Sequence, residues 1–226
     1  MSDGNVKAAL LEAAKPHVPF DGWTEATFRA AQADAGISAG LAKAACPRGA
    51  VDLAVAFHEA GDAAMEKRLF DEDLSHLRYS EKVAAAVRFR IEAIEDRELV
   101  RRGATLFALP QYAGDGARLV WGTADRIWIA LGDTSRDVNW YSKRAILSGV
   151  YGSTVLYWLG DETDGAEATW AFLDRRIEGV MQFEKLKARV RGGSLATRLM
   201  DGPLSFLNNI RAPGTGPTDL PGRWSR

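Results

Sequence analysis

Apolar residues recur every three or four positions along most of this chain, and the strict alternation typical of strands is nearly absent. Val83, Val87, Ile91 and Ile94 form the clearest of these stripes. Such spacing places the apolar side chains on one face of a helix, ready to pack against another helix. The sequence therefore predicts an all-α fold of roughly nine or ten helices.

Capping and stop signals predict the helix boundaries in the first half of the chain. Thr24 is expected to cap a helix that runs to about Asp34, because its side-chain oxygen can accept a hydrogen bond from an otherwise unpaired backbone N–H. A longer helix is predicted over residues 51–70. Ser80 is expected to cap the helix that carries the apolar stripe.

The second half contains two further helices that matter for function. Residues 119–131 are predicted to form a helix capped by Thr123 and ended by Gly132, after a loop at residues 112–116. Residues 145–159 are apolar nearly all round and are predicted to form a buried helix. A polar and aromatic turn over residues 132–144 is expected to lead into it.

Breaks in this pattern predict the domain organisation. Residues 1–70 are assigned to a degenerate helix-turn-helix head and residues 71–191 to a helical body. The pattern is interrupted by two consecutive glycines at 192 and 193, which separate an amphipathic segment at 192–212. Residues 213–226 are rich in Pro and Gly and are expected to be disordered.

Composition narrows the cellular setting. The formal net charge is −1, so no global field favours nucleic acid or an anionic membrane. Cys46 is the only cysteine, which excludes an intramolecular disulfide and fits a reducing compartment. No apolar stretch reaches the roughly 18 residues of a membrane-spanning helix, and the N-terminus lacks the features of a leader peptide. The expectation is a soluble cytoplasmic protein.

The first 65 residues resemble the DNA-binding head of TetR-type regulators, with the turn of its helix-turn-helix at residues 35–38. A recognition helix needs side chains that reach base edges and phosphates. Residues 39–45 offer only Lys43 among small and apolar neighbours. The sequence therefore predicts a TetR-like head that binds no nucleic acid.

Catalytic and metal-binding patterns are also missing from the sequence. A di-iron helical bundle would show paired Glu-x-x-His motifs, and none is present. His17, His58 and His76 are isolated from one another, and His58 with Glu59 is expected to face solvent. No catalytic residue, metal or cofactor is predicted.

Six motifs together carry a more specific resemblance. They are Trp23, Ala-Leu-Pro at 108–110, Asp-Arg-Ile-Trp at 125–128, Gly-Asp at 132–133, Asp-Val-Asn-Trp-Tyr-Ser-Lys-Arg at 137–144, and Phe-Leu-Asp-Arg-Arg-Ile at 172–177. With these motifs the chain resembles the COQ9 family of ubiquinone-biosynthesis accessory proteins, over about residues 6–210. The Asn-Trp-Tyr run at 139–141 is the most specific part.

The resemblance implies a TetR-like, dimeric fold that binds lipid rather than DNA. It implies two kinds of partner, namely an isoprenoid quinone precursor or phospholipid, and the hydroxylase that modifies demethoxy-ubiquinone. A mitochondrial presequence is absent, which suggests a bacterial cytoplasmic protein that associates peripherally with the inner membrane. The partner-facing patch of the family falls on Asp125, Ile127, Asp137, Trp140, Tyr141 and Arg144.

The aromatic pair Trp140 and Tyr141 has a simpler interpretation as well. Neighbouring residues on a helix point about 100° apart, so one ring can pack inward while the other stays near the surface. The pair could then be the start of a helix that Asp137 caps. Exposed aromatics beside Arg144 have the composition of an interface hot spot, and the resemblance favours that interface.

Lipid contact is predicted at two places. A cavity in the body would be lined by one set of residues, although a packed core is the default for such apolar positions: Val87, Ile91, Leu106, Leu109, Leu147, Tyr151 and Val155. An amphipathic segment at 194–210 could lie on a membrane or pack back on the body or across a dimer. Its apolar residues are Leu195, Leu199, Met200, Leu204, Leu207 and Ile210.

Three functions remain open at this level. The favoured one is a non-enzymatic, lipid-binding accessory protein of ubiquinone biosynthesis that presents its lipid to the hydroxylase. A TetR-type transcriptional regulator that responds to an apolar ligand is the alternative. A structural dimer without a ligand is the third.

Overall fold

The computed structural model describes residues 3–191 and Ala212, with side chains described for residues 4–180 and Ala212. Every regular secondary-structure element within these residues is a helix, as predicted. The helices are α1 (Asp3–Ala14), α2 (Val18–Asp21), α3 (Glu25–Asp34), α4 (Ala39–Ala45), α5 (Ala50–Asp71), α6 (Tyr79–Glu92), α7 (Arg97–Phe107), α8 (Ala113–Ala130), α9 (Val138–Leu159) and α10 (Glu167–Arg191). The amphipathic segment predicted at 192–212, apart from Ala212, and the tail at 213–226 that is predicted to be disordered lie outside the described residues.

Helix starts show where capping signals succeed and fail. Thr24 caps α3, and its hydroxyl accepts a hydrogen bond from the N–H of Thr27 at 3.4 Å. The prediction for Ser80 is wrong, because the cap position is occupied by Arg78, two residues earlier, and α6 begins at Tyr79. The carboxylate of Glu81, three residues after Arg78, reaches back and accepts the N–H of Arg78 at 2.7 Å, as the third residue of a capping box does.

Helices α7 and α8 differ most from the prediction. The sequence pattern missed α7, whose first turn is capped by Asp96. Helix α8 already begins at Ala113, so residues 112–116 are not a loop and Thr123 is not a cap. Thr123 lies buried in mid-helix, where its hydroxyl contacts the carbonyl oxygen of Leu119 at 3.2 Å. A buried threonine can thus satisfy its hydroxyl within its own helix, which makes it look like a cap in the sequence.

The start of α9 also lies earlier than predicted. Asp137 caps it by accepting the N–H of Asn139 at 3.0 Å. The run Asn139-Trp140-Tyr141 therefore lies in the first turn of α9 and is not a turn in front of it. The rings of Trp140 and Tyr141 therefore project from a regular helix.

Two apolar clusters stabilise the molecule. One is formed by the five helices from α1 through α5 and includes Leu10, Phe28 and Leu53. The other joins α5, α6, α8, α9 and α10 around Met65 and Ile127. Helix α5 contributes to both clusters, and α7 sends its own Leu99 into the first. The junction between the two clusters is where the cavity described below lies.

No helix within the described residues is both long enough and apolar enough to cross a membrane.

Asp161 anchors the start of α10. Its carboxylate accepts hydrogen bonds from the N–H and hydroxyl groups of Thr163, at 2.9 and 2.6 Å, and of Thr169, at 2.8 and 2.5 Å. These bonds, first of all those from the side chains of Thr163 and Thr169, hold the pKa of Asp161 well below its usual value.

Asp161→Asn is expected to lower the free energy of unfolding at pH 7, because the amide nitrogen cannot accept the bonds from Thr169. The folded-state pKa is depressed, so the carboxylate stabilises the fold at pH values above its unfolded pKa of about 4. That stabilisation is lost as the pH falls further. Urea unfolding followed by circular dichroism should show a gap between wild type and variant at pH 7 that narrows below pH ~4. A gap independent of pH would contradict this role.

Candidate functional site

An apolar cavity of about 340 Å³ lies between α5, α6, α7, α8 and α9. Its volume is at the small end of the range for small-molecule sites, ~300–1,000 Å³. The apolar walls come from α5, α7, α8 and α9, from Ile94 just after α6, and from Trp23; the residues besides Trp23 are Ala54, Phe57, Ile94, Leu99, Val100, Phe107, Leu119, Val120, Val155 and Leu156. Trp23 is held by a hydrogen bond from its indole N–H to the carbonyl oxygen of Leu99 at 3.1 Å.

The cavity has an open end and a closed end. Ala104 of α7, Ala108 just after it, and Leu156 of α9 line it and are exposed, with Leu156 at 68%. Arg90 and Tyr151 line it too, yet they are only 2% and 4% exposed. An apolar chain could therefore enter between α7 and α9 and reach a buried end near α6.

That buried end is polar. The Nε of Arg90 donates to the carboxylate of Asp62 at 2.6 Å, and its Nη2 donates to the carbonyl oxygen of His58 at 2.9 Å. Thr123 of α8 contacts the same carboxylate at 2.9 Å and the Nε2 of His58 at 2.8 Å. Tyr151 closes the group, with its ring edge-on to His58. We refer to these five residues as the polar pole.

The prediction that His58 faces solvent is wrong. Its side chain is 18% exposed and lines the cavity. Burial first, and the charge of Arg90 second, lower the pKa of His58 to about 4, so the ring is neutral at pH 7. Adjacent helical residues point in different directions, so His58 lines the cavity while its neighbour Glu59 is exposed.

Of the seven residues predicted to line a lipid cavity, two line the cavity in the structure and five lie elsewhere. Tyr151 and Val155 do line it. Val87, Ile91 and Leu147 are buried in the core instead, Leu106 packs on the N-terminal cluster, and Leu109 is exposed. A helical stripe identifies the face that points inward, but it cannot distinguish a filled interior from an empty one.

A second candidate site is an aromatic surface made by α8 and the first turn of α9. We define it as Trp121, Trp140 and Tyr141. The ring centroids of Trp121 and Trp140 are 6.0 Å apart, and those of Trp140 and Tyr141 are 4.7 Å apart with the rings nearly perpendicular. All three residues are half-buried, so each presents part of its ring to the outside.

Arg144 supports this aromatic surface from below. Its guanidinium lies 4.0 Å from the centroid of the Trp140 ring, and its Nη1 donates to the Trp140 carbonyl oxygen at 3.1 Å. The same group pairs with Asp125 at 2.6 Å and Asp133 at 3.3 Å. Arg144 is itself only 2% exposed.

The charges around Arg144 continue into the loop before α9. Lys143 donates to Asp133 at 2.7 Å and to the hydroxyl of Ser135 at 2.8 Å. Burial alone would raise the pKa of Asp133, but the hydrogen bonds from Lys143 and Ser135 outweigh it and hold the pKa below its usual value. The loop is therefore tied to α9 by the charge pairs that the buried Asp133 makes with Lys143 and Arg144.

Two of the six predicted partner-facing residues cannot contact a partner in this arrangement. Ile127 is fully buried and Arg144 nearly so, because α8 and α9 pack face to face at these positions. Asp137 is exposed and Asp125 is half-buried, which leaves both within reach of a partner. They remain predictions together with Trp140 and Tyr141.

Sequence reasoning missed Trp121, although a signal for it exists. Trp121 and Asp125 are four residues apart and so share one face of α8. The signal for the polar pole is weaker, since His58 and Asp62 share the same spacing but Arg90 and Thr123 come from other helices. Only the packing of α5, α6 and α8 brings these residues together.

Within the described residues, no three His, Cys, Asp or Glu side chains are arranged to hold a metal ion. The predicted membrane-binding residues Leu195, Leu199, Met200, Leu204, Leu207 and Ile210 lie outside the part that the structure describes.

Comparisons with known proteins agree with this architecture. A TetR transcriptional regulator from Nitrosomonas europaea ATCC 19718 matches the structure with a TM-score of 0.62 at 17% identity, over 77% of this chain and 97% of the regulator. The predicted TetR-like fold is thereby confirmed.

Sequence similarity identifies the family. The COQ9 family model matches residues 113–184, which include the whole aromatic surface and the charged residues that support it. The mitochondrial ubiquinone biosynthesis protein COQ9 of Rattus norvegicus is 32% identical, over 92% of this chain and 69% of its own length. The Homo sapiens protein of the same name is 29% identical over 92% and 68%. This chain belongs to the COQ9 family.

Proposed function

We propose that this protein is a non-enzymatic, lipid-binding accessory protein of ubiquinone biosynthesis. It takes up a polyprenylated quinone precursor in the cavity between α7 and α9. It then presents this precursor to the hydroxylase that acts on demethoxy-ubiquinone. The place in the pathway is supported by the relatives, whose names assign them to ubiquinone biosynthesis.

The observation that carries the proposal is the cavity itself. Its walls are apolar, one end is exposed and the other is buried and polar. An amphiphile with a long apolar tail matches this distribution, because the tail loses contact with water while the head finds hydrogen-bond partners. A tail longer than the cavity would leave through the opening beside Leu156.

The aromatic surface is the proposed dock for the hydroxylase. Tryptophan and tyrosine are the residues that most often dominate binding energy at interfaces. Asp125 and Asp137 flank the rings and would supply the polar rim of such an interface. The ion pairs of Arg144 hold the rings in place before the partner arrives, which reduces the entropy lost on binding.

Transcriptional regulation is less well supported. The exposed face of α4 consists of Ala39, Gly40, Leu41, Lys43 and Ala44. One lysine provides a single phosphate contact, whereas DNA-binding proteins neutralise many phosphates. This face lacks the side chains that would read base edges.

Membrane association and dimerisation complete the proposal. The segment at 194–210 would attach the protein to the inner face of a bacterial membrane as a peripheral protein. Its apolar residues recur every three to five positions with polar residues between them, which is the pattern of an amphipathic helix. A second copy would pack against the groove between α9 and α10, which is lined by Gly149, Ser153 and Gly179 with Arg175 and Arg176 at its edge. Small residues allow two helices to approach closely.

Filling the cavity tests the lipid function. Gly152 lines the cavity, and a Cβ added there meets no atom within 4 Å. Gly152→Leu should therefore occupy the lipid's space while α9 stays intact, because leucine favours helix over glycine by up to about 1 kcal/mol. Organic extraction and mass spectrometry of the purified protein should show at least about a tenfold loss of bound isoprenoid, equivalent to ~1.4 kcal/mol of affinity.

Gly114→Leu is the matched control. It makes the same change in a helix at an exposed position with open space around it, and it should leave the bound lipid unchanged. Wild-type protein that carries no isoprenoid or phospholipid would refute the lipid function.

A further inference from the structure

Ala212 places the chain beside the aromatic surface. Its backbone N–H donates to the carbonyl oxygen of Arg136 at 2.9 Å, and Ala212 is half-buried. Arg136 directly precedes Asp137, whose carbonyl oxygen accepts the N–H of Trp140 at 2.9 Å. Residues 213–226 lie outside the described residues, but they follow Ala212 directly and so start about one helical turn from Trp140.

The aromatic surface has acidic side chains beside its half-buried rings. The side chain of Asp125 is 33% exposed, and Asp137 is exposed as well. The guanidinium of Arg144 lies beneath the rings, where it is only 2% exposed. A segment that carries apolar side chains followed by arginines would match this surface, because the rings bind apolar groups and the carboxylates bind guanidinium groups.

Residues 213–226 have the composition of such a segment. They contain three prolines, each four positions after the last. Proline fixes its own φ in the polyproline II range and pushes the residue before it into an extended conformation. A polyproline II helix has three residues per turn, so one of its faces would carry two apolar residues followed by two arginines: Pro217, Leu220, Arg223 and Arg226. Segments of this kind bind to aromatic-lined surfaces.

The segment is also long enough to cover the rings. A polyproline II chain rises about 3.1 Å per residue, so Pro217 can lie up to ~16 Å from Ala212 and Arg223 a further ~19 Å away. The ring centroids of the surface are only 6.0 and 4.7 Å apart in succession. Because the segment is covalently attached, its effective concentration at the surface is in the millimolar range. Even a weak contact would therefore be populated.

We propose that residues 213–226 dock on the aromatic surface of their own chain as an extended polyproline II segment. Pro217 and Leu220 lie on the rings, and Arg223 pairs with the acidic side chains of Asp125 and Asp137. The docked segment removes the outer parts of the rings from water, and a hydroxylase that binds the same surface must displace it. This competition rests on the proposed dock for the hydroxylase, whereas the docking of the segment does not.

A nitroxide attached to Ser225→Cys in the full chain tests the docking. Position 225 lies on a different face of the polyproline II helix from the docking residues, and Cys46 is fully buried and should take up no label. In isotope-labelled protein, the indole N–H signals of Trp121 and Trp140 should be lost, because a nitroxide broadens the signals of nearby protons. Trp170, which lies beyond the other end of α9, should keep its signal. Chemical reduction of the nitroxide should restore the lost signals.

Two double variants of the labelled chain test the assigned face. Leu220→Ser with Arg223→Ser removes one apolar and one basic contact, so both lost signals should return. The affinity for the hydroxylase, measured by surface plasmon resonance, should rise at least about threefold, because a surface that is open in about a third of the molecules binds with an affinity lowered by that fraction. Asp219→Ser with Gly222→Ser is the matched control, since it makes two changes to serine on the face that carries the label. It should leave the signals lost and the affinity unchanged.

The outcomes separate the docking of the segment from the function of the surface. Undiminished signals of Trp121 and Trp140 in the labelled chain would overturn the docking and leave the proposed hydroxylase dock standing. Signals lost only when nitroxide-labelled copies are mixed with isotope-labelled ones would overturn docking within one chain. Signals that return in Leu220→Ser with Arg223→Ser while hydroxylase affinity stays the same would overturn the competition and, with it, the aromatic surface as the dock.

Discussion

Arg144→Met should lower the free energy of unfolding by about 3 kcal/mol. Removing one partner of a fully buried ion pair costs ~3–5 kcal/mol, because the remaining charge stays buried without compensation. The expected value is at the low end since Asp125 is one-third exposed and Asp133 keeps its bond to Lys143 at 2.7 Å. Urea denaturation followed by circular dichroism measures the change.

Arg118→Met is the matched control for this experiment. Arg118 also pairs with an aspartate on α8, at 3.1 Å from Asp115, but its side chain is 79% exposed. An exposed pair of this kind contributes at most about 1 kcal/mol. Similar losses for the two variants would mean that Arg144 is not a buried anchor.

The same substitution distinguishes two roles for Arg144 at the proposed dock. If the residue acts by holding Trp140 from below, hydroxylase binding should weaken in Arg144→Met although the side chain touches no partner. Arg144→Lys keeps the charge but loses the planar fork that reaches Asp125 and Asp133 together. It should therefore restore only part of both stability and binding.

Trp140→Ala combined with Tyr141→Ala should weaken binding of the hydroxylase at least about a hundredfold, or roughly 3 kcal/mol. The two rings pack on each other and Trp140 also packs on Trp121, so the double change removes most of the aromatic surface. Asp137 and Arg144 are unaltered, so α9 should still begin where it does and the helical circular-dichroism spectrum should persist. Surface plasmon resonance with the purified hydroxylase measures the affinity.

Tyr157→Ala combined with Phe172→Ala provides the control. These two rings stack at 4.6 Å, at the far end of α9 and on α10. Their loss removes a similar aromatic area away from the proposed dock, and hydroxylase affinity should stay within about twofold, or ~0.4 kcal/mol. Undiminished binding by the Trp140 and Tyr141 double variant would exclude the aromatic surface as the dock.

Local signals predicted several elements well. The stripe of Val83, Val87 and Ile91 identified α6, and Gly132 was correctly expected to end α8. Gly132 adopts a positive φ of 76°, which glycine tolerates at a helix end. Asp137 does cap α9. These features depend on residues within a few positions of one another, so the sequence contains what is needed to see them.

Other signals misled because one side chain can serve two purposes. Thr123 has the chemistry of a cap, yet it is buried in α8 and contacts Asp62 of α5. Arginine is a residue type that is common at interfaces, yet Arg144 is buried and supports the ring of Trp140. In both cases a partner distant in sequence satisfies the polar group, and no local pattern reveals that partner.

The sequence by itself determined the helical class, the TetR-like head without DNA-reading side chains, and the family. Periodicity, side-chain chemistry and motif spacing are all properties of the linear chain. Only the tertiary structure decided where the cavity lies and which apolar residues line it rather than fill the core. It also decided that His58, Asp62 and Arg90 meet at the buried end of the cavity. An empty volume and a hydrogen-bond network exist only between helices, because their geometry is created when α5, α6, α8 and α9 pack together.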